Sequence, residues 1–150
     1  METEKTVAVA PVTEPTPSVQ EALARLLPQL SPQLGVPASG LLLSLLSSPS
    51  AVLLAARLGS RIVGVLTLVW YDVPSGRKAW IEDVVVDAAA RGCGAGKALV
   101  RAALERAVAE GAERVLLTSS PARTEARSLY RKMGFEEAET SVFAFKIGKR

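Results

Sequence analysis

The chain has 150 residues, 49% of them apolar, which suits one folded domain over residues 1–150 and excludes a disordered chain. Its single cysteine and its lack of histidine exclude an internal disulfide, a zinc centre and a nucleophile activated by histidine. The net charge of +3 comes without a Lys/Arg run interleaved with aromatic residues, so we expect an anionic ligand rather than a nucleic-acid partner.

The N-terminal part of the chain predicts one strand and two short helices. An apolar run indicates a strand over residues 7–12. Ser18 followed by Glu21 is a capping-box pattern, which predicts a helix that begins there and ends before Pro28. A second helix is predicted over residues 40–46.

We expect neither a secretory signal nor a membrane partner. Residues 1–5 contain no basic stretch that leads into an apolar run, and the lone cysteine fits a reducing compartment, so we expect a cytoplasmic protein. Residues 26–56 carry no charge, but prolines and glycines interrupt every window long enough to cross a bilayer. This stretch suits buried helices, a pocket wall or a homodimer contact.

The rest of the chain alternates strands with amphipathic helices, and a hairpin is indicated at Gly59-Ser60. This mixed order predicts an α/β sheet with helices on both faces. The predicted elements are strands over 51–58, 61–70 and 79–86, a helix from Gly96 to Gly111, a strand over 114–119, a helix over 124–133 and a closing hairpin after Phe135.

A glycine-rich turn joins the strand over 79–86 to the helix that follows it. Its glycines, Gly92, Gly94 and Gly96, allow positive φ and close approach of a ligand. The first amides of the helix have no internal partner, and the positive end of the helix dipole lies behind them. A pyrophosphate fits such a turn, with Arg91 and Lys97 adding positive charge.

Two common nucleotide-binding loops do not match this turn. A Walker A loop needs glycine and Ser or Thr where this chain has Arg91 and Ala98. A Rossmann fingerprint needs Gly or Ala at positions that hold Lys97 or Leu99, depending on its starting glycine.

Two motifs carry a resemblance to a known family. The pattern Arg-x-x-Gly-x-Gly beginning at Arg91 resembles the pyrophosphate loop of the GNAT acetyltransferase superfamily, where it binds coenzyme A. Residues 126–135 resemble the A-x-x-L-Y-x-x-x-G-F ending of the same superfamily, at the expected distance downstream. The resemblance covers residues 50–145 and implies the GNAT fold, a mixed and mostly antiparallel central sheet of six to seven strands with about four helices on both faces.

The resemblance also implies a reaction and a set of residues. Acetyl-CoA and a primary amine bind together, and the amine attacks the thioester directly, without a metal. The amide of Val84 is expected to stabilise the oxyanion, and Tyr130 to approach the CoA sulfur and protonate the leaving thiolate. The remaining residues expected to contact the cofactor are Val85 and Val86 on the pantetheine arm, and Arg91, Gly92, Cys93, Gly94, Ala95, Gly96 and Lys97 at the pyrophosphate.

Two adjacent carboxylates interrupt an otherwise apolar strand. Burying an unpaired carboxylate is costly, so Glu82 and Asp83 are candidates for the general base or for binding the amine. Strict alternation places them on opposite faces and puts Glu82 on the face of Val84. An ion pair with Arg77 or Lys78 is the structural alternative, and water is the alternative base.

One position departs from the family pattern. Many members carry Asn three residues before the alanine of the second motif, contacting the pantetheine, and this chain has Arg123. Arg123 could reach a CoA phosphate, or it could face solvent with Arg127 and Arg131 in a stripe spaced by four residues.

The acceptor is left open by the sequence. A small-molecule or peptide amine is expected, and an aminoglycoside, a polyamine, a peptide N-terminus and a lysine side chain all fit. An alternative from another class is a non-catalytic acyl-CoA-binding regulatory module with the same fold. The presence of Tyr130, Glu82 and Asp83 argues for the enzyme.

Overall fold

The computed structural model describes residues 6–148, which form two compact units. The first ends at Thr118 and the second begins at Ser119. In that part of the chain, no helix is both long and apolar enough to cross a membrane. The elements are β1 (Val7–Pro11), α1 (Pro17–Leu30), α2 (Ser39–Leu46), β2 (Ala51–Leu58), β3 (Arg61–Val73), β4 (Gly76–Val86), α3 (Ala95–Ala109), β5 (Arg114–Leu116) and α4 (Thr124–Lys132).

The first unit is a twisted sheet in the order β1-β2-β3-β4-β5, antiparallel except for the parallel pair β4/β5. Helices α1 and α2 pack on one face, where Leu26 and Leu42 join Val65 in one buried cluster. Helix α3 covers the other face, where Leu99 lies against Gly64 so closely that a Cβ there would be 3.1 Å from its side chain. The expected α/β fold with helices on both faces is therefore confirmed.

The sheet has five strands in residues 6–148, fewer than the expected six or seven. The difference lies in the second unit, where the residues after Phe135 form no strand as far as Gly148. Apolar side chains in this tail, such as Phe143 and Phe145, are exposed. A strand needs a partner ladder as well as β-forming residues, and the sequence pattern reports only the second requirement.

Helix α1 begins and ends differently from its prediction. Its N-cap is Thr16, whose Oγ1 accepts a hydrogen bond from the Val19 amide at 3.2 Å, so the predicted capping box at Ser18 is wrong. The pair Thr16-Pro17 combines a good cap with a proline in the first turn, which displaces the cap from Ser18. The helix also continues past Pro28.

The C-terminal half of α1 is held by Asp87, the residue that follows β4. Asp87 is only 5% exposed, and its Oδ2 accepts a hydrogen bond from Arg25 Nη1 at 2.8 Å. Its Oδ1 accepts from the Ala89 amide at 3.1 Å and from Gln29 Nε2 at 3.3 Å. The Ala89 amide, with Gln29 and Arg25, holds the pKa of Asp87 below its usual value despite burial. These bonds fix α1 to the segment that enters the glycine turn.

Replacing Asp87 with alanine is expected to destabilise the protein by about 2 kcal/mol at pH 7, because it removes the charged hydrogen bonds of a buried carboxylate. Arg25 keeps its pairing with Glu21 and its bond to the Ile62 carbonyl. A depressed carboxyl pKa stabilises the fold above the unfolded value of about 4, and this contribution is lost as the pH falls through the folded value. The difference between wild type and variant should therefore shrink on acidification. Urea unfolding at pH 7 and near pH 3 measures both effects.

Asp72→Ala is the matched control for this measurement. Asp72 pairs with Arg77 at 2.6 Å on an exposed hairpin, so its loss should change stability much less. Equal losses in the two variants would contradict a special role for the Asp87 bonds.

Candidate active site

The turn between β4 and α3 is built from glycines in the left-handed region. A single 3-10 turn at Ala88–Ala90 follows Asp87, and Gly92 and Gly94 then both have φ of 86°. Gly94 is the N-cap of α3 and accepts a hydrogen bond from the Ala98 amide at 3.0 Å. Among residues 6–148, no side chain caps the helix. The first amides of α3 are therefore left for a ligand or solvent.

The surroundings of this turn fit an anionic ligand. Gly92 and Gly94 are exposed, and a Cβ at either position would meet open space. The side chains of Arg91 and Lys97 are also exposed at its rim, whereas Ala95 is buried and anchors the first turn of α3. An uncapped helix start with two flanking cations suits a pyrophosphate. Gly96 and Cys93 are intermediate in exposure.

Strand β4 has a bulge directly before its last residues. The register pairs Thr67 with Glu82 and Val65 with Val85. Between these two pairs β4 has two residues, Asp83 and Val84, whereas β3 has one. Asp83 has φ of 50°, the only positive value at a non-glycine position in residues 6–148. Val84, predicted as the oxyanion donor, is thus outside the regular β3 ladder.

The bulge also corrects the predicted facing of the carboxylates. Thr67 and Val65 are two residues apart on β3 and share a face, so their partners Glu82 and Val85 share that face as well. The alternation that grouped Glu82 with Val84 does not hold across an inserted residue.

On its other edge, β4 pairs with β5 only before the bulge. Its pairing with β5 covers Lys78 to Trp80 only. Beyond Trp80, the described residues provide no strand on that side, so the last part of β4 is an open edge. Adjacent strand residues direct their N–H and C=O groups to opposite edges, so of Val85 and Val86 one bonds β3 and the other presents its peptide groups at this edge.

Glu82 and Asp83 are exposed carboxylates without a cationic partner in the described part of the chain. The alternative of an ion pair with Arg77 is not formed, because Arg77 bonds Asp72. Partial burial, followed by the negative charge of Asp83, raises the pKa of Glu82 above its ordinary value. The raised pKa makes Glu82 a candidate proton acceptor.

Tyr130 lies on α4 in the second unit and is half-buried. Its ring meets that of Phe135 edge to face, with centroids 5.8 Å apart. Burial raises the pKa of Tyr130, and the charge of Arg123 opposes the shift. The phenol is thus protonated at neutral pH and can act as a donor.

The three arginines of the predicted stripe have different environments. Arg127 donates to the Ser119 carbonyl at 3.2 Å and lies 3.5 Å from Glu137. Arg131 lies 3.7 Å from the same carboxylate. Arg123 is instead at the N-cap position of α4. Only Arg127 and Arg131 therefore share an acidic partner.

One group beside Glu82 was missed by sequence analysis. Trp80 is half-buried and donates its Nε1–H to the hydroxyl of Tyr71 at 2.9 Å. The sequence did contain a signal for it: Trp80 precedes Glu82 by two residues, and alternation along a strand places both side chains on the same face.

Comparison with known proteins gives a consistent family signal. A model of the Acetyltransferase (GNAT) family matches residues 17–135. Glucosamine 6-phosphate N-acetyltransferase 1 of Oryza sativa subsp. japonica is 45% identical over 62 residues, which are 41% of this chain. The match spans only 36% of that relative's length.

Solved structures of similar fold extend over nearly the whole chain. An aminoglycoside acetyltransferase from an uncultured soil metagenomic sample, in complex with trehalose, superposes with a TM-score of 0.82 at 24% identity, covering 95% of this chain and 97% of that one. A transcriptional regulator from Bacillus halodurans C-125 has a TM-score of 0.78 at 27% identity, covering 93% and 99%.

Proposed function

The chain belongs to the acetyltransferase (GNAT) family, and from that premise we propose that it transfers an acetyl group from acetyl-CoA to the primary amine of a small molecule. The observation that carries this proposal is the β4 bulge, which leaves Val84 outside the regular β3 ladder. Two carboxylates without a cationic partner among the described residues lie at this bulge, and the chain then leads through the glycine turn into an uncapped helix. We further propose that residues 1–150 act as one domain, since the family match spans both compact units.

The turn before α3 holds the pyrophosphate in this proposal. The free amides at the start of α3 donate to its oxygens, and Arg91 and Lys97 neutralise its charge. Positive φ at Gly92 and Gly94 lets the chain turn sharply into the start of α3 without steric cost. Arg123 is proposed to contact a phosphate of the same molecule.

The open edge of β4 positions the thioester. The peptide groups that Val85 and Val86 leave unpaired at this edge bond to the amides of the pantetheine arm, as an added strand would. The amide of Val84 donates to the carbonyl oxygen as negative charge develops there. A bulge suits this task because it turns one peptide out of the ladder without ending the strand.

Glu82 accepts the proton of the attacking amine, and Tyr130 supplies the proton that the departing thiolate takes up. Asp83 holds the positive charge of the incoming ammonium. A small-molecule amine as acceptor is supported by the names of the curated relatives, which specify glucosamine 6-phosphate.

A second function is favoured by one finding. The structural relative from Bacillus halodurans is described as a transcriptional regulator. A non-catalytic acyl-CoA-binding module is therefore the alternative proposal, with the same turn before α3 as its ligand site.

Release of free thiol from acetyl-CoA in the presence of a panel of amines tests the proposed function. The panel should contain an amino sugar, a polyamine, a peptide N-terminus and a lysine peptide. We expect amine-dependent thiol release together with the mass of the acetylated product. Tight binding of acetyl-CoA without turnover of any amine would instead support the regulatory module.

A further inference from the structure

Strands β3 and β4 share an open surface that continues from the catalytic carboxylate. Several side chains lie on the face that α1 and α2 cover only in part, and we call five of them the β3–β4 face. They are Thr67, Val69, Tyr71, Trp80 and Glu82.

The pattern of burial along β3 shows where this surface opens. Val65 is 3% exposed beneath the helices, Thr67 and Val69 are half-buried, and Tyr71 is 41% exposed. The residues between them point to the other face and are buried against α3, as Leu68 is. The open surface is therefore confined to one face and widens away from the helices.

Trp80 is the central apolar group of this surface. It lies opposite Val69 in the register, and its indole N–H is held by the hydroxyl of Tyr71 at 2.9 Å. This hydrogen bond uses the polar atom of the indole and fixes its ring, so the ring offers a flat apolar surface at small entropic cost.

The β3–β4 face has side chains of opposite charge at its two ends. Glu82 lies two residues from Trp80 on one side, and Lys78, which pairs with Tyr71, lies two residues away on the other. A separation of four strand residues is about 13 Å between Cα atoms, and both side chains extend from the same face of β4. An ammonium group is favoured at Glu82 and disfavoured at Lys78.

We propose that the β3–β4 face binds the acceptor as an amino sugar. The apolar face of the sugar ring stacks on Trp80, its amine points to Glu82, and its hydroxyls meet Thr67 and Tyr71. An electronegative substituent at the far end of the ring faces Lys78. A linear amine could use the carboxylates but would gain little from a flat indole flanked by hydroxyls. The inference rests on the proposed function, since it names the acceptor class of that site.

Kinetics of Trp80→Ala test this assignment with glucosamine, glucosamine 6-phosphate and 1,4-diaminobutane as acceptors. We expect the KM of both sugars to rise about tenfold, with kcat and the KM of acetyl-CoA nearly unchanged. The KM of the linear diamine should change much less. Trp80→Phe should recover part of the loss because it keeps an aromatic face. Val73→Ala, an exposed apolar residue at the hairpin end of β3, is the control and should behave as wild type.

The variant Lys78→Gln should affect binding of glucosamine and of glucosamine 6-phosphate differently. It should weaken binding of glucosamine 6-phosphate more than that of glucosamine if the far substituent faces Lys78. An equal rise in KM for the sugars and the diamine in Trp80→Ala, or no rise at all, would overturn the proposal.

A binding measurement keeps this inference separate from the proposed function. Titration of glucosamine in the presence of saturating coenzyme A should change the fluorescence of Trp80, and Trp80→Phe should abolish the response. Binding of the sugar without acetylation of any amine would overturn the proposed function and leave the β3–β4 face assigned. Acetylation of amines without saturable sugar binding would overturn the β3–β4 face and leave the proposed function standing.

Discussion

Replacing Tyr130 with phenylalanine is expected to lower kcat by about two orders of magnitude, with the KM of acetyl-CoA changed little. In the proposed mechanism the substitution removes the proton that the leaving thiolate takes up, but it keeps the ring that packs on Phe135. Burial raises the pKa of Tyr130, so the wild-type phenol remains a donor throughout the neutral range. The defect should therefore be nearly constant between pH 6 and pH 9.

Steady-state thiol release and a thermal unfolding curve together measure this prediction. Phe135→Leu is the control, because it alters the packing partner of Tyr130 and leaves the hydroxyl in place. A donor thioester with a more acidic thiol needs less protonation and should shrink the difference between wild type and Tyr130→Phe. Wild-type turnover in a stably folded Tyr130→Phe protein would reduce Tyr130 to a packing residue.

Elements held together by local rules were predictable from the sequence. The hairpin at Gly59-Ser60 and strand β2 match their predictions because an apolar run and a turn signal are both local. The turn before α3 is a similar case, since positive φ at Gly92 and Gly94 is the conformation for which glycine is suited.

Features that depend on distant partners were not predictable. The bulge at Asp83 appears only when β4 is set against β3, and a β-branched run such as residues 84–86 contains no local signal for it. The bonds between Asp87 and Arg25 join residues 62 apart in sequence. The placement of Glu82 beside Trp80 and Thr67 follows from the same register, which is why its face was predicted incorrectly.

The bulge and the Asp87 bonds act on the two ends of the same short segment. One end carries Glu82 and the Val84 amide, and the other enters the turn before α3. Since Asp87 is bound to α1, the helix that covers Val85 also fixes the start of that turn. The segment between the two proposed ligand-binding features is thereby restrained from both sides.

Glu82→Gln is expected to lower kcat/KM by about two orders of magnitude and to remove one limb of the pH–rate profile. A general base works only when it is deprotonated, so its activity falls as the pH drops through its pKa. Partial burial and the charge of Asp83 raise the pKa of Glu82, so this limb should lie above the ordinary glutamate value of about 4.3.

Asp83→Asn is the matched variant because it changes the neighbouring charge and keeps Glu82. Removing the negative charge that raises the pKa of Glu82 should shift the acidic limb to lower pH without abolishing it. Protonation of the acceptor's own amine adds a limb to the pH–rate profiles of wild type and of both variants. Only the limb that moves in Asp83→Asn therefore belongs to Glu82. Profiles of kcat/KM from pH 5 to pH 9 distinguish the cases. If Glu82→Gln kept the limb that Asp83→Asn shifts, another group or water would be the base.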